Sequence, residues 1–329
     1  MILSIIVPVY NAERFIDRCV TSIYNDAPND DIFEVIVIND GSKDKSAMML
    51  EKYCDKHRNM TMIDKINEGV SVARNLGIKK AKGDYVLFLD ADDELVEGSL
   101  MRVCEFLAAN EPIDMLVTRQ IRNNGQQEKI VGEPPLEEYR RYDGVEAFKK
   151  GFVRTNAGGG ICRRDFLKNN KLFFPEGVRN AEDTIFFGHL QVFADSIVYY
   201  NLPMYRIREA EGSACRSRDY TNLGKSHLVT MRAVVHVKKT LNASREKKAI
   251  FDYVAYQLMA NTIGKFVQSK DLDYRLLKKE VDIKNILPLD TENMYKMKRN
   301  ARFMNFSLLL FYFFSWLKYN CSIVKFCQM

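Results

Sequence analysis

The chain has 329 residues, 47% hydrophobic and 28% charged, with a formal net charge of +6. That composition excludes a disordered or collagen-like chain and suits a folded protein with a real core, in one large or two smaller domains. The charge is too modest to demand nucleic acid, and none is expected as a partner. The seven cysteines are scattered and never spaced Cys-x-x-Cys, which points to a reducing compartment without a disulfide framework or a zinc site.

Met1 to Val9 is apolar, but it lacks a basic leader and a small-residue cleavage site, and Pro8 and Asn11 interrupt it. It reads as a first strand followed by a turn, not as a signal peptide. Phe15, Ile16, Cys19, Val20, Ile23 and Tyr24 then recur at helical spacing, with Asn11 placed to cap that helix. Phe33 to Asn39 is a second, β-branched strand ending in the turn signal Asp40-Gly41-Ser42. A polar helix runs to about His57, Thr61 to Ile63 is a short third strand, and Glu68 to Lys80 is a helix. Asp84 to Leu89 is a fourth strand, and it ends in Asp90-Ala91-Asp92-Asp93-Glu94. Ser99 is placed to cap a further helix reaching about Ala109. Strands alternating with helices in this way predict a parallel α/β sheet. Neither Gly-x-Gly-x-x-Gly nor a P-loop follows the first strand.

The acidic stretch is the chemically loaded one. Three aspartates within four residues repel one another and need a cation or much solvent to stay ionised. Ligands of open α/β sheets bind just beyond the carboxyl ends of the strands, so a divalent metal beside a phosphate is one reading. An exposed loop or a helix N-terminus with its acidic partners is the other.

From Asp114 the pattern changes. Met115 to Ile121 reads as a strand, and Asn123-Asn124-Gly125 as a hairpin turn. Gly158-Gly159-Gly160 signals either a close backbone approach or a flexible loop. Glu182-Asp183 precede an apolar helix. Beyond about Arg216 the chain is helical, with Leu228, Met231, Val234 and Val235 in one stretch and Ile250 to Val267 in another. Phe303 to Leu317 is apolar and aromatic, and too short for a confident span, which needs roughly 20 residues. Lys296, Lys298, Arg299, Arg302 and Lys318 flank it. Such flanks suit peripheral contact of 303–329 with a membrane surface; a helix packed on the protein or a dimer seam is the competing reading.

Four motifs now stand in order: Ile5-Ile6-Val7-Pro8-Val9-Tyr10-Asn11, Val37-Ile38-Asn39-Asp40-Gly41-Ser42, Ala73-Arg74-Asn75-x-Gly77, and Gly83-Asp84-Tyr85-x-x-Phe88-Leu89-Asp90-Ala91-Asp92-Asp93. Together they resemble family 2 glycosyltransferases of the GT-A fold, and Glu182-Asp183 matches the family's later acidic pair. The resemblance implies an α/β, Rossmann-like mixed sheet flanked by helices over 1–215, with a nucleotide-sugar half at 1–110 and an acceptor half at 111–215. A helical region at 216–302 and the apolar, basic segment 303–329 would follow.

It also implies a nucleotide-diphosphate-sugar donor, usually a UDP-sugar, a divalent Mn or Mg ion, and transfer with inversion. By carry-over, Pro8, Tyr10, Asn11 and Asp40 line the nucleobase pocket, and Arg74 meets the base or a phosphate. Asp90 faces the nucleotide, Asp92 and Asp93 are the metal ligands, Glu182 contacts the donor sugar and Asp183 is the catalytic base. The Gln-x-x-Arg-Trp motif of processive members is absent, which implies one sugar per binding event. The stretch from Tyr205 to Ser213 lacks the histidine that some relatives use on the metal. Arg206 and Arg208 there are either diphosphate contacts or a solvated basic loop. The expected acceptor is a lipid-linked or growing surface glycan, at the cytoplasmic face of a membrane. An inactive sugar-nucleotide-binding scaffold and a sugar-nucleotide pyrophosphorylase are the alternatives.

Overall fold

The computed structural model describes residues 1–25, 27–123, 127–131, 139–152, 158–208, 219–294 and 297–327, with side chains to 319. The Asn124-Gly125 turn, Lys296 and the stretch from Glu209 to Ser213 lie outside them. The chain forms two compact units: Met1–Asp143, Asn156–Gly177 and Ala194–Glu211 in the first, and Gly144–Thr155, Val178–Phe193 and Gly212–Met329 in the second.

The first unit is built on a ten-stranded mixed sheet. Its left half is β3 (Met60–Lys65), β2 (Phe33–Asp40), β1 (Leu3–Val9) and β4 (Tyr85–Phe88), adjacent in that order and all parallel. β1 is central because it is apolar on both sides. Leu3, Ile5, Val7 and Val9 join one buried cluster with α1 (Ile16–Tyr24) and α4 (Ser99–Ala109). On the opposite side of β1, Ile6 lies so near Gly77 of α3 (Val70–Lys80) that a Cβ there would sit 2.3 Å from its Cγ2. Burying each such aliphatic side chain stabilises the fold by about 1.5–3 kcal/mol. α2 (Ser46–Lys56) completes the β2-to-β3 crossover.

The right half is antiparallel where it meets β4. β9 (Gly160–Arg163) runs antiparallel to both β4 and β6 (Met115–Asn123). β10 (Ile197–Arg208) lies parallel to β6, and the two-residue β5 (Glu94–Leu95) pairs antiparallel with its end. β7 (Glu128–Val131) pairs with β6 and β8 (Tyr139–Tyr142) with β10. The expected mixed sheet flanked by helices is therefore what the chain builds.

Two expected caps are replaced. Asn11 has φ 49 and stands before a turn, and α1 starts only at Ile16, with no side-chain cap. Asn11 spends its side chain elsewhere, as described below. Ser99 is the first residue of α4, and Gly98, at φ 69, is its cap. The glycine triplet resolves as a close approach. A Cβ on Gly158 would lie 2.8 Å from the Tyr205 ring, and Gly159 adopts φ +73 with Thr118 Oγ1 2.7 Å from the same position. Any side chain at 158 would push the Tyr205 ring aside.

The second unit is helical among its described residues. α9 (Arg245–Gln268) is buried on most of its circumference, so it forms the core around which α5 (Gly144–Lys149), α7 (Glu182–Phe193), α8 (Tyr220–Thr240) and α12 (Leu308–Cys327) pack. An ion pair of Lys238 and Asp252 at 2.6 Å ties α8 to α9. α10 (Tyr274–Glu280), a 3-10 turn at Ile283–Asn285 and α11 (Lys298–Phe306) lead to α12. The apolar run expected as one segment is broken at Ser307, whose backbone is extended and whose hydroxyl accepts the Leu310 N–H. No described helix is long and apolar enough to cross a membrane.

Candidate active site

Eight of the residues singled out in the sequence collect at the carboxyl ends of β2, β1 and β4, which are neighbours in the first unit. This is where a parallel sheet presents its ligand crevice. The loops after β1 and β2 are joined to each other. Asn11 N–H donates to Ser42 Oγ at 3.0 Å, and Asn11 Oδ1 accepts Lys43 N–H at 2.8 Å. Ala12 N–H donates to Ser46 Oγ, and Glu13 N–H to Asp44 Oδ2. The pairing leaves Tyr10 52% exposed beside a rigid edge, next to the half-buried Pro8. A flat, presented aromatic ring of this kind offers a stacking surface.

Asp40 sits where expected but is already occupied. It is buried, Oδ1 accepts Lys65 Nζ at 2.6 Å and Glu68 N–H at 3.0 Å, and Oδ2 accepts Gly69 N–H at 2.8 Å. The carboxylate thus holds the backbone leading into α3. α3 in turn presents Arg74, which is buried, lies 5.0 Å over the Phe174 ring and donates to Asp90 Oδ1 at 2.7 Å. Its neighbour Asn75 exchanges two hydrogen bonds with the Phe174 backbone, at 2.8 and 2.9 Å. The Arg-Asn pair therefore divides its labour: Asn75 anchors a distant segment and Arg74 reaches the acidic turn.

That turn closes through Asp93 N–H to Asp90 O at 3.0 Å. Tyr205 holds it from beneath. Its buried hydroxyl accepts the Asp90 N–H at 3.1 Å and donates to the Asp93 carboxylate. Asp93 also accepts Arg208 N–H at 3.0 Å and is only 7% exposed. Asp93, expected as a ligand beside Asp92, is thus drawn inward by β10. Glu94 is buried too and is ringed by arginines: Arg208 grips both oxygens at 2.8 and 3.0 Å, Arg206 approaches at 3.6 Å and Arg18 pairs directly. Arg18 also donates to the Asp92 carbonyl at 3.1 Å. Arg206 and Arg208 are therefore strand residues engaged by carboxylates, Arg206 reaching Glu128 as well.

Asp92, like Asp90, is a half-buried carboxylate of the turn. Burial, and then the Asp90 charge, push its pKa up. Asp93 is pushed up to about 8 by burial first and then by Asp90 and Asp92, against the pull of Arg208 N–H and the Tyr205 hydroxyl. These carboxylates are short of positive charge despite Arg74 and Arg18 nearby. Hard oxygen donors in that state suit Mg or Mn, which bind through one or two carboxylates and fill their remaining positions with phosphate and water. Among the described residues no three His, Cys, Asp or Glu side chains cluster as a complete protein cage. The residues fit a cation shared with a phosphate ligand.

Asp183 and Glu182 belong to the second unit, in the first turn of α7. Asp183 Oδ1 accepts the Thr184 N–H at 2.7 Å, and Glu182 is buried. Ala181 just before them has φ 61, a left-handed conformation that costs a non-glycine residue roughly 1–2 kcal/mol. Asn180, which precedes it, is pinned by Ser226 and Thr230 of α8. Strain held in place by neighbours is a mark of functional turns. Tyr205 and Phe174 carried no motif of their own, and Glu94 read only as the end of the acidic stretch; the glycine triplet was the one local sign that something packs against residue 158.

The profile described as glycosyl transferase family 2 matches residues 4–169. The chain belongs to glycosyl transferase family 2. The match spans β1 through α6 (Arg164–Asn169), and so includes the whole strand-end site of the first unit. The poly(ribitol-phosphate) beta-glucosyltransferase of Bacillus spizizenii is 32% identical over 188 residues, covering 56% of this chain and 29% of that protein. This family member spans 29% to 62% of the length of three such curated relatives. Of solved structures, S. aureus TarS 1-349 in complex with UDP aligns over 98% of this chain and 92% of its own, at 20% identity and TM-score 0.65. The mannosyltransferase PcManGT of Pyrobaculum calidifontis, in complex with GDP-Man and Mn2+, aligns over 93% and 87%, at 17% identity and TM-score 0.54. At these identities the structural likeness establishes the GT-A fold.

Proposed function

We propose that the protein is a non-processive, inverting glycosyltransferase that moves a sugar from a UDP-sugar to a lipid-linked or growing surface glycan. The observation that carries this reading is the acidic turn after β4, held rigid from below with Asp92 half-buried at its crest, beside the strand ends that bear Tyr10, Asn11 and Arg74. UDP in the aligned TarS complex and the poly(ribitol-phosphate) named for the Bacillus spizizenii relative support the donor and acceptor classes.

In this reading Tyr10 stacks on the base, with Pro8 and Asn11 beside it and Asp40 fixing the wall behind. Asp90, paired with Arg74, faces the nucleotide, and Arg74 meets the base or a phosphate. Asp92 is the ligand for a Mn or Mg ion, with Asp93 behind it keeping the turn in place. The cation, when bound, would neutralise charge gathering on the leaving diphosphate. Glu182 contacts the donor sugar. The Asp183 carboxylate takes the proton of the acceptor hydroxyl as its oxygen bonds to the anomeric carbon from the face opposite the leaving group. The carbon–phosphate-oxygen bond breaks, and the nucleoside diphosphate leaves with the electron pair. The site works at the cytoplasmic face of a membrane, with residues 303–329 in contact with its surface.

The test is calorimetric binding and turnover across a panel of nucleotide sugars, with Mn, Mg or chelator, for wild type and Asp92→Asn. Metal-dependent binding of one UDP-sugar, weakened in the variant, with product of inverted anomeric configuration, is expected. Metal-independent binding of equal strength in both proteins would overturn the role given to Asp92. No binding of any sugar nucleotide would overturn the transferase reading.

A further inference from the structure

The second unit carries a surface that the strand-end site does not use. Leu309, Leu310, Phe313, Phe314 and Trp316 of α12 are 39% to 54% exposed, and Phe306 just before it is 80% exposed. They form two adjoining stripes. Leu310 and Phe314, four residues apart, share one face of the helix. Leu309, Tyr312, Phe313 and Trp316 line a groove of about 610 Å³ whose other wall is the end of α9 and the start of α10. Its floor includes the buried Phe266 and Leu272, and Tyr274 meets Tyr312 edge-on at 5.5 Å. The volume is that of a small-ligand pocket, and its apolar share suits a hydrocarbon chain.

Charge supplies the other half. Lys270 and Arg275 line the groove. Asp273 lines it too, but its carboxylate accepts the Leu276 N–H at 2.8 Å and so caps α10. Residues 297–319 contain Lys298, Arg299, Arg302 and Lys318 and no Asp or Glu. A second copy seated on this face would bring the same basic residues towards one another, whereas anionic headgroups would match them. The described helices do not suffice to span a bilayer, so an aromatic and basic helix of this kind fits the interface plane.

We infer that the groove between α9, α10 and α12 binds one acyl chain of an anionic membrane phospholipid, whose phosphate is met by Lys270 and Arg275. This deepens, and rests on, the membrane contact proposed above: it turns a general surface affinity into a site for a single lipid. It does not depend on glycosyl transfer.

Trp316 is the only tryptophan in the chain and lines the groove, so the intact protein reports on its own occupancy. Its emission is followed during titration with phosphatidylglycerol vesicles, phosphatidylcholine vesicles, and a short-chain phosphatidylglycerol kept below its micelle concentration. A blue shift with both forms of phosphatidylglycerol is expected, with quenching by lipids carrying a spin label on the acyl chain. Lys270→Glu/Arg275→Glu, both surface changes, should weaken the response about tenfold or more while leaving the melting curve in place. An unchanged spectrum in phosphatidylglycerol would overturn the site. So would an equal response to phosphatidylcholine, a response to vesicles but not to the dissolved lipid, or a shift that follows protein concentration without lipid, which would assign the face to a second copy. Nucleotide-sugar binding, measured separately, reports on the transferase reading alone.

Discussion

The ends of β2 and β4 carry the same residue type at equivalent places in one sheet, and they treat it in opposite ways. At the end of β2, Asp40 receives a lysine and two backbone N–H groups and is closed to solvent. At the end of β4, the carboxylates crowd one another; those of Asp93 and Glu94 are turned inward onto β10, and Asp92 stays half-buried at the surface of the turn. An aspartate with its donors supplied by the fold is architecture. One whose neighbours raise its proton affinity, in a turn braced from behind, is prepared for a charge that arrives from outside.

The sharpest way to break this contrast is to remove each carboxylate and ask which property falls. Asp40→Ala takes the shared acceptor from the Glu68 and Gly69 N–H groups, while Lys65 keeps Glu68, and should cost about 3 kcal/mol in urea unfolding. A loss under 1 kcal/mol would show Asp40 to be no more structural than Asp92. Asp92→Asn should leave the melting temperature nearly unchanged while lowering kcat about 10²–10³-fold in UDP-release assays. Tyr205→Phe removes the hydroxyl shared by Asp90 N–H and Asp93, and should cost about 1–2 kcal/mol of stability. It should raise the metal concentration needed for half-maximal activity as well, since the turn that carries Asp92 loosens; a stability loss with an unmoved metal requirement would confine Tyr205 to the core.

The smallest effect lies outside the sheet and calibrates the rest. Burial lowers the His189 pKa to about 4, below its unfolded value near 6.5. Its neutral form therefore contributes stability that is fully present above about pH 6.5 and is lost as the pH falls towards 4. Partial exposure keeps the effect to about 1 kcal/mol between pH 7 and pH 5. His189→Leu should flatten that slope in thermal melts and leave UDP-sugar affinity at pH 7 unchanged.

The half of the site built from local patterns was legible in the sequence. β1, β2 and β4 are apolar runs that end in polar turns, and a parallel sheet has few ways to arrange them. What escaped depends on partners far along the chain. Asn11 has the chemistry of a helix cap, and only the neighbouring loop at Ser42 and Lys43 explains why it serves elsewhere. Arg206 and Arg208 read as diphosphate contacts or a solvated basic loop because nothing in their neighbourhood announces Glu94, 114 residues away from Arg208. The inward turn of Asp93 has the same cause. Asp183 shows the complementary case: its place at the start of an apolar helix was readable from the residues around it, and it stands in the first turn of α7.

The bracing of the acidic turn also has a history in time. The contacts that join the β1 and β2 loops span only 31 to 34 residues, so this shelf can assemble early as the chain leaves the ribosome. The bonds from Tyr205 and Arg208 to Asp90 and Asp93 each span 115 residues. Closing so long a loop is slow, because chain entropy must be spent before the contact rewards it. During synthesis the cluster of aspartates is therefore exposed, repelling and unorganised until residue 208 is made. The shelf of joined β1 and β2 loops is expected to form before the acidic turn beside it is braced, which makes β10 the strand whose arrival completes that turn.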